Sequence, residues 1–190
     1  HFIAANEVLK ELGIKGWFHI IPGFINCPKE KLEDFLKSNI FERYSFPDYE
    51  MSELGPMSWD EIRSLAKEGH SIGCHTLNHT RMISDLSEEE TESEILDAKK
   101  IIEKEISKEV SGFCWPGGEK ECYNQHSKSL VKKHFKYGFP SFYGAVAKEN
   151  SRFGINRSPF PLENDEVYLA FNPAFEQKDI SKKKEFLKNF

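Results

Sequence analysis

Nothing in these 190 residues approaches the run of about 20 apolar residues that a membrane helix requires, and no charged-then-apolar segment opens the chain. No membrane span is expected. Excess positive charge is lacking too, since 26 Lys and Arg stand against 31 Asp and Glu, for a formal net charge of -5. A nucleic-acid or anionic-membrane partner needs clustered Lys and Arg, so neither is expected. The run Lys182-Lys183-Lys184 reads as a solvated helix face. The four cysteines, Cys27, Cys74, Cys114 and Cys122, form no C-x-x-C pair. That favours reduced thiols in a cytoplasmic setting, with a Cys114 to Cys122 bridge as the lesser alternative. Internal repeats, low-complexity segments and an initiator Met are all absent.

What is present suffices for one sizeable core: 38% of the residues are hydrophobic, and a single domain over 1–190 is the default for this length. Helix-like and strand-like stretches alternate, which predicts an α/β fold with a parallel sheet. An opening helix sets Ala5, Val8, Leu9 and Leu12 on one stripe and stops at Gly13. Ile14 to Ile21 reads as a buried strand turned by Pro22-Gly23, and Pro28 starts a helix with Leu32, Phe35 and Leu36 inward. From Tyr44 to Met57 the chain is rich in Pro, Gly, Ser and acidic residues without a period, as a loop at the rim of a site would be. Two capping boxes follow the Ser-x-x-Glu pattern. Ser58 with Glu61 opens a helix that buries Ile62, Leu65 and Ala66 and closes at Gly69. Ser87 with Glu90 opens a longer one that buries Ile95, Ala98, Ile102 and Ile106. The acidic residues of that second helix start read as favourable charge at a helix N-terminus, with no catalytic weight. Val110 to Trp115 is the next strand. A helix over His126 to Phe135, with Leu130, Val131 and His134 on its apolar side, and strands at Gly138-Phe139 and Ile155 to Phe160 complete the pattern.

Three of the seven histidines fall within Gly69-His70-Ser71-Ile72-Gly73-Cys74-His75-Thr76-Leu77-Asn78-His79. Glycines and the alternation of Ile72 and Cys74 with small residues make the first part a short strand, so His75 lies at its end and His79 in the loop beyond. Neutral imidazole is the commonest protein metal ligand, and sites of α/β enzymes gather at strand C-termini. A structural histidine pair is the competing reading. His70 is expected to bond a neighbouring loop.

The same stretch resembles the Gly-His-Glu-Ile-Gly-Ser-His-Thr-x-x-His motif of the NodB-type polysaccharide deacetylases, carbohydrate esterase family 4. Ser111-Gly112-Phe113-Cys114-Trp115-Pro116-Gly117-Gly118 is similar to that family's next motif, and Ile155-Asn156-Arg157-Ser158-Pro159-Phe160 to a late strand that often carries an arginine. The resemblance spans roughly residues 4 to 160, with 161–190 unassigned. It implies an irregular (β/α)7-type barrel lacking its first strand here, because the family's Thr-Phe-Asp-Asp-Gly strand end has no counterpart and His1 to Ile14 looks like the helix that follows it. That strand end gives the family its third metal ligand and its general base. The later Leu-His pair, the family's general acid, is also missing, and Cys114 stands where an arginine is usual.

For this chain the resemblance implies removal of acetyl groups from an N-acetylated sugar of a polysaccharide or surface-glycan precursor. His75 and His79 would hold a divalent metal, most readily zinc, and the Gly117 N–H would donate to the oxyanion. Arg157 would stand in for the missing charge, and Trp115, Pro116 and Thr76 would meet the substrate. For Trp115 a core position is an equal alternative, and Thr76 is also suited to orienting a histidine. The rival class is a carbohydrate-binding or scaffolding domain of the same fold that has lost turnover. Oligomeric state is left open.

Overall fold

The computed structural model describes residues 1–41, 55–81, 83–141 and 151–157. These residues divide between two units, His1–Thr80 with Ser93–Val110, and Arg81–Glu92 with Ser111 onward. The expected loop over Tyr44 to Met57 is described only from Gly55. Ser158 to Phe160 and the lysine-rich tail lie outside the described residues.

In the first unit, β1 (Trp17–Ile20) and β2 (Ser71–Cys74) pair in parallel, with Trp17 opposite Ser71 and Ile20 opposite Cys74. A parallel pair needs a long crossover. It is supplied here by α2 (Pro22–Ile25), α3 (Leu32–Phe35) and α4 (Trp59–Lys67). The Ser58 hydroxyl accepts from the Glu61 amide and the Glu61 carboxylate from the Ser58 amide, so α4 starts at the predicted box. Ile62, Leu65 and Ala66 share the buried face of α4, and Gly69, at a φ of +89°, ends the helical run. On the far side of the histidine stretch a π-helical turn, Ser93–Asp97, leads into α6 (Ala98–Ile106). Ile95, Ala98, Ile102 and Ile106 are all buried there, as their spacing predicts. Each such aliphatic side chain contributes about 1.5–3 kcal/mol when fully buried.

Two expectations for this unit need correcting. The opening helix is α1 (Phe2–Ala4) followed by a π-helical turn, Ala5–Leu9. Ala5 is buried, but Val8 and Leu12 are 51% and 65% exposed. An i→i+5 bond such as Lys10 N–H to Ala5 C=O closes a wider turn than the 3.6-residue period, so residues beyond it rotate off the stripe. The buried strand expected over Ile14 to Ile21 is only Trp17–Ile20, and Ile14 is 49% exposed. Of the residues of β1 only Ile20 is fully buried, and Trp17 is 39% exposed.

In the second unit β3 (Gly112–Cys114) and β4 (Tyr137–Phe139) form another parallel pair, with Phe113 opposite Gly138. The crossover between them contains α7 (Gln125–His134), which is opened by a box the sequence reading missed, with the Asn124 side chain accepting from the Ser127 amide. Leu130 and Val131 are buried as expected, and His134 is half-buried. The short helix α5 (Glu88–Glu92) also belongs here, opened by the predicted Ser87 and Glu90 pair. Phe113, Trp115, Tyr123 and Phe135 make an aromatic core, with ring centroids 4.8–5.3 Å apart. The strand expected from Ile155 is not formed over 155–157. Those residues are tied to β4 by Ile155 N–H to Gly138 C=O, and Gly138 N–H reaches Arg152 C=O. Both strand pairs have the parallel, helix-connected layout of an α/β fold. Among the described residues the expected seven-stranded barrel is represented by four strands.

Candidate metal centre

His75 lies just past the end of β2, where its amide continues the ladder by donating to Ile20 C=O at 2.9 Å. His79 follows in the loop, and the two rings meet edge to face with centroids 5.0 Å apart. With metal–nitrogen distances of about 2.0–2.1 Å, two imidazoles on one tetrahedral ion have centroids about 5 Å apart, so this pair has a suitable separation. The His79 Nδ1 lies 2.7 Å from Asn39 C=O. A carbonyl can only accept, so Nδ1 carries the proton and Nε2 the lone pair a cation needs.

The loop between the two histidines is strained. Thr76 and His79 both have left-handed backbone, at φ 63° and 64°, a conformation that costs a non-glycine residue about 1–3 kcal/mol. For the β-branched Thr76 this is a marked outlier. Two contacts hold the loop in place. Gly23, at the start of α2, donates its amide to Leu77 C=O at 2.8 Å. Glu94 accepts from the Leu77 and Asn78 amides, each at 3.1 Å, and from Asn78 Nδ2 at 2.9 Å.

Sequence reasoning missed His19, Asn39, Gly23 and Glu94. His19 stands on β1 opposite Gly73, on the face that Ser71, Gly73 and His75 share by the period of two. Its ring stacks on Trp17, and its centroid is 6.4 Å from that of His75. That separation is too wide for two ligands of one tetrahedral ion. Accordingly, no group of three or more His, Cys, Asp or Glu side chains among the described residues could hold a metal. Strand register was the signal that could have found His19. His70 does what the sequence predicts, its Nδ1 accepting the Gly16 amide at 3.0 Å.

Thr76 is completely buried, and its hydroxyl has no hydrogen-bond partner among the described residues. In the second unit the turn after β3 brings Trp115, Pro116 and Gly117 together with Arg157. The Arg157 Nη2 donates to Trp115 C=O at 3.1 Å and to Ser141 Oγ at 2.7 Å. Trp115 is wholly buried and packs against Phe113 and Tyr123. Gly117 and Gly118 have left-handed φ values of 72° and 82°. A Cβ on Gly117 would stand 2.9 Å from the Cys122 sulfur and 3.2 Å from an Arg81 guanidinium nitrogen. Burial pushes the Cys114 thiol up to about 11, with the nearby Arg157 charge working the other way. No disulfide joins the four cysteines.

A curated peptidoglycan-N-acetylglucosamine deacetylase of Bacillus cereus is 47% identical over 57 residues, which is 30% of this chain and 26% of that protein. The Streptococcus pyogenes deacetylase PplD, solved in complex with acetate, has a similar fold (TM-score 0.65, 17% identity, 90% of this chain and 65% of that one). So does the de-N-acetylase from Aggregatibacter actinomycetemcomitans (TM-score 0.64, 14% identity, 89% of this chain and 69% of that one). The chain thus spans about a quarter of the curated relative and about two-thirds of these solved structures. The polysaccharide deacetylase profile matches residues 3–138, well over half of the chain, and takes in β1 to β3, the histidine loop and the start of β4; the chain belongs to the polysaccharide deacetylase family.

Proposed function

We propose that the chain carries the metal-binding histidines of a metal-dependent carbohydrate N-deacetylase, which hydrolyses the acetamide of an N-acetylated sugar and releases acetate. The supporting observation is the His75 and His79 pair, set 5.0 Å apart with the proton of His79 pinned on Nδ1 by Asn39. A divalent ion, most readily zinc, would supply Lewis-acid polarisation of the acetyl carbonyl and a water whose pKa is brought to about 7. The chain's own residues hold that ion and fix the tautomer and tilt of its ligands. By the family resemblance, the Gly117 N–H donates to the oxyanion, a contact worth on the order of 10²–10³ in rate, and Arg157 provides positive charge beside the Trp115-Pro116 turn. The aspartates that serve the family as third ligand and base have no counterpart in residues 1–190.

The test is acetate release from N-acetylglucosamine oligomers by the full-length gene product, before and after chelation and with zinc restored. Activity that disappears on chelation, returns with zinc and is lost in His75→Ala and His79→Ala supports the proposal. The rival reading, a sugar-binding domain without turnover, draws on Cys114 standing in the arginine position. It predicts oligosaccharide binding with no acetate at any metal supplied, and that outcome would overturn the enzyme reading.

A further inference from the structure

We propose that Glu94 is the positioning residue of the histidine loop, clamping it so that His79 stays in register with His75; this rests on the metal-binding reading above. Glu94 is 8% exposed, and its carboxylate is turned inward against residues 16 and 17 positions earlier in the chain. One oxygen, Oε2, accepts from the Leu77 and Asn78 amides at 3.1 Å, and the other, Oε1, accepts from Asn78 Nδ2 at 2.9 Å. Its backbone carbonyl accepts from Leu77 N–H as well, at 2.9 Å. All of these donors lie between the two left-handed residues, Thr76 and His79. Strained backbone persists only where its surroundings over-determine it. Two successive amides converging on one buried carboxylate oxygen, with the Asn78 side chain on the other, are such a constraint.

Glu94 sits in the π-helical turn Ser93–Asp97, the wide-turn distortion that is frequent at functional sites. This placement separates it from Glu88, Glu89 and Glu90, which are exposed at the start of α5. Those residues offer charge to a helix end, whereas Glu94 is buried and fully engaged with the loop. Partners that orient a metal ligand typically change metal affinity about 10–100-fold when removed. Glu94 acts one step further out, through the backbone that carries His79.

The experiment is a Co²⁺ titration of the full-length gene product followed by its visible absorption, alongside amide hydrogen exchange at Leu77 and Asn78 and a circular dichroism melt. Glu94→Gln keeps the shape but places an amide nitrogen against Asn78 Nδ2. It is expected to weaken Co²⁺ binding by about tenfold or more and to speed exchange at both amides, with the circular dichroism spectrum of the folded chain unchanged. Glu94→Gln combined with Asn78→Asp restores donor against acceptor and should recover both readouts, whereas Glu89→Gln, at an exposed site, should alter neither. If Glu94→Gln binds Co²⁺ like the parent while His79→Ala does not bind it, the positioning role is overturned and the metal site stands. If the full-length parent protein takes up no Co²⁺, the metal reading fails. Exchange at Leu77 and Asn78 then decides the clamp by itself, and unchanged protection in Glu94→Gln overturns it.

Discussion

A Cβ added at Gly23 would stand 2.6 Å from the Leu77 carbonyl oxygen, a backbone atom that cannot swing away. The Gly23 amide also donates to that oxygen, so α2 and the histidine loop approach as closely as a missing side chain permits. Gly23→Ala should therefore cost about 1–3 kcal/mol, read as a drop in urea midpoint, and should weaken Co²⁺ binding as the loop is pushed outward. Thiol chemistry offers a second test at this scale. Cys27 is partly exposed, whereas Cys74, Cys114 and Cys122 are buried, and burial holds the Cys114 and Cys122 thiols well above their ordinary range. An aromatic disulfide reagent at pH 8 should modify about one thiol per folded chain quickly, and peptide mapping should identify it as Cys27. Rapid modification of Cys114 in the folded chain would contradict the burial described.

Among the described helices, α4, α5 and α7 begin at side-chain caps. Ser58 and Glu61 bond each other's backbone amides at the start of α4, so Ser58→Ala should lower stability by about 1 kcal/mol in chemical denaturation. Core positions of α6 weigh more. Ile102 is completely buried, and Ile102→Ala should cost about 2–5 kcal/mol, because the lost transfer free energy adds to that of the cavity left behind. Val8 shared the same kind of predicted stripe, yet it is 51% exposed after the π-helical turn, so Val8→Ala should stay within about 0.5 kcal/mol of the parent. Equal losses for Ile102→Ala and Val8→Ala would show that the opening segment packs as its sequence pattern suggested.

For the whole molecule, the buried thiols link stability to alkaline pH. Below the ordinary thiol value of 9.0 both folded and unfolded chains keep the Cys114 proton, and between 9.0 and about 11 only the folded chain does. Stability is therefore fully present below pH 9 and falls as pH rises toward 11, by about 2.7 kcal/mol for two units on one thiol. Cys122 adds loss in the same direction, driven first by burial and then by its hydrogen bond to Glu119. Denaturant midpoints measured from pH 8 to 11 should decline, and less steeply in Cys114→Ala. What the sequence by itself determined is local: both serine capping boxes, the buried faces of α4 and α6, the glycine stop at Gly69, and a strand ending in His75 are written in residues a few positions apart. The family could be read from the same source, because the histidine loop and the Trp115-Pro116 turn are contiguous motifs. Tertiary structure alone decided that His19 lies across from Gly73, that Asn39 holds the proton of His79, and that Glu94 grips Leu77 and Asn78. Parallel strands joined by long crossovers bring together residues 16 to 54 positions apart, and no periodicity in a single chain encodes which of them will meet.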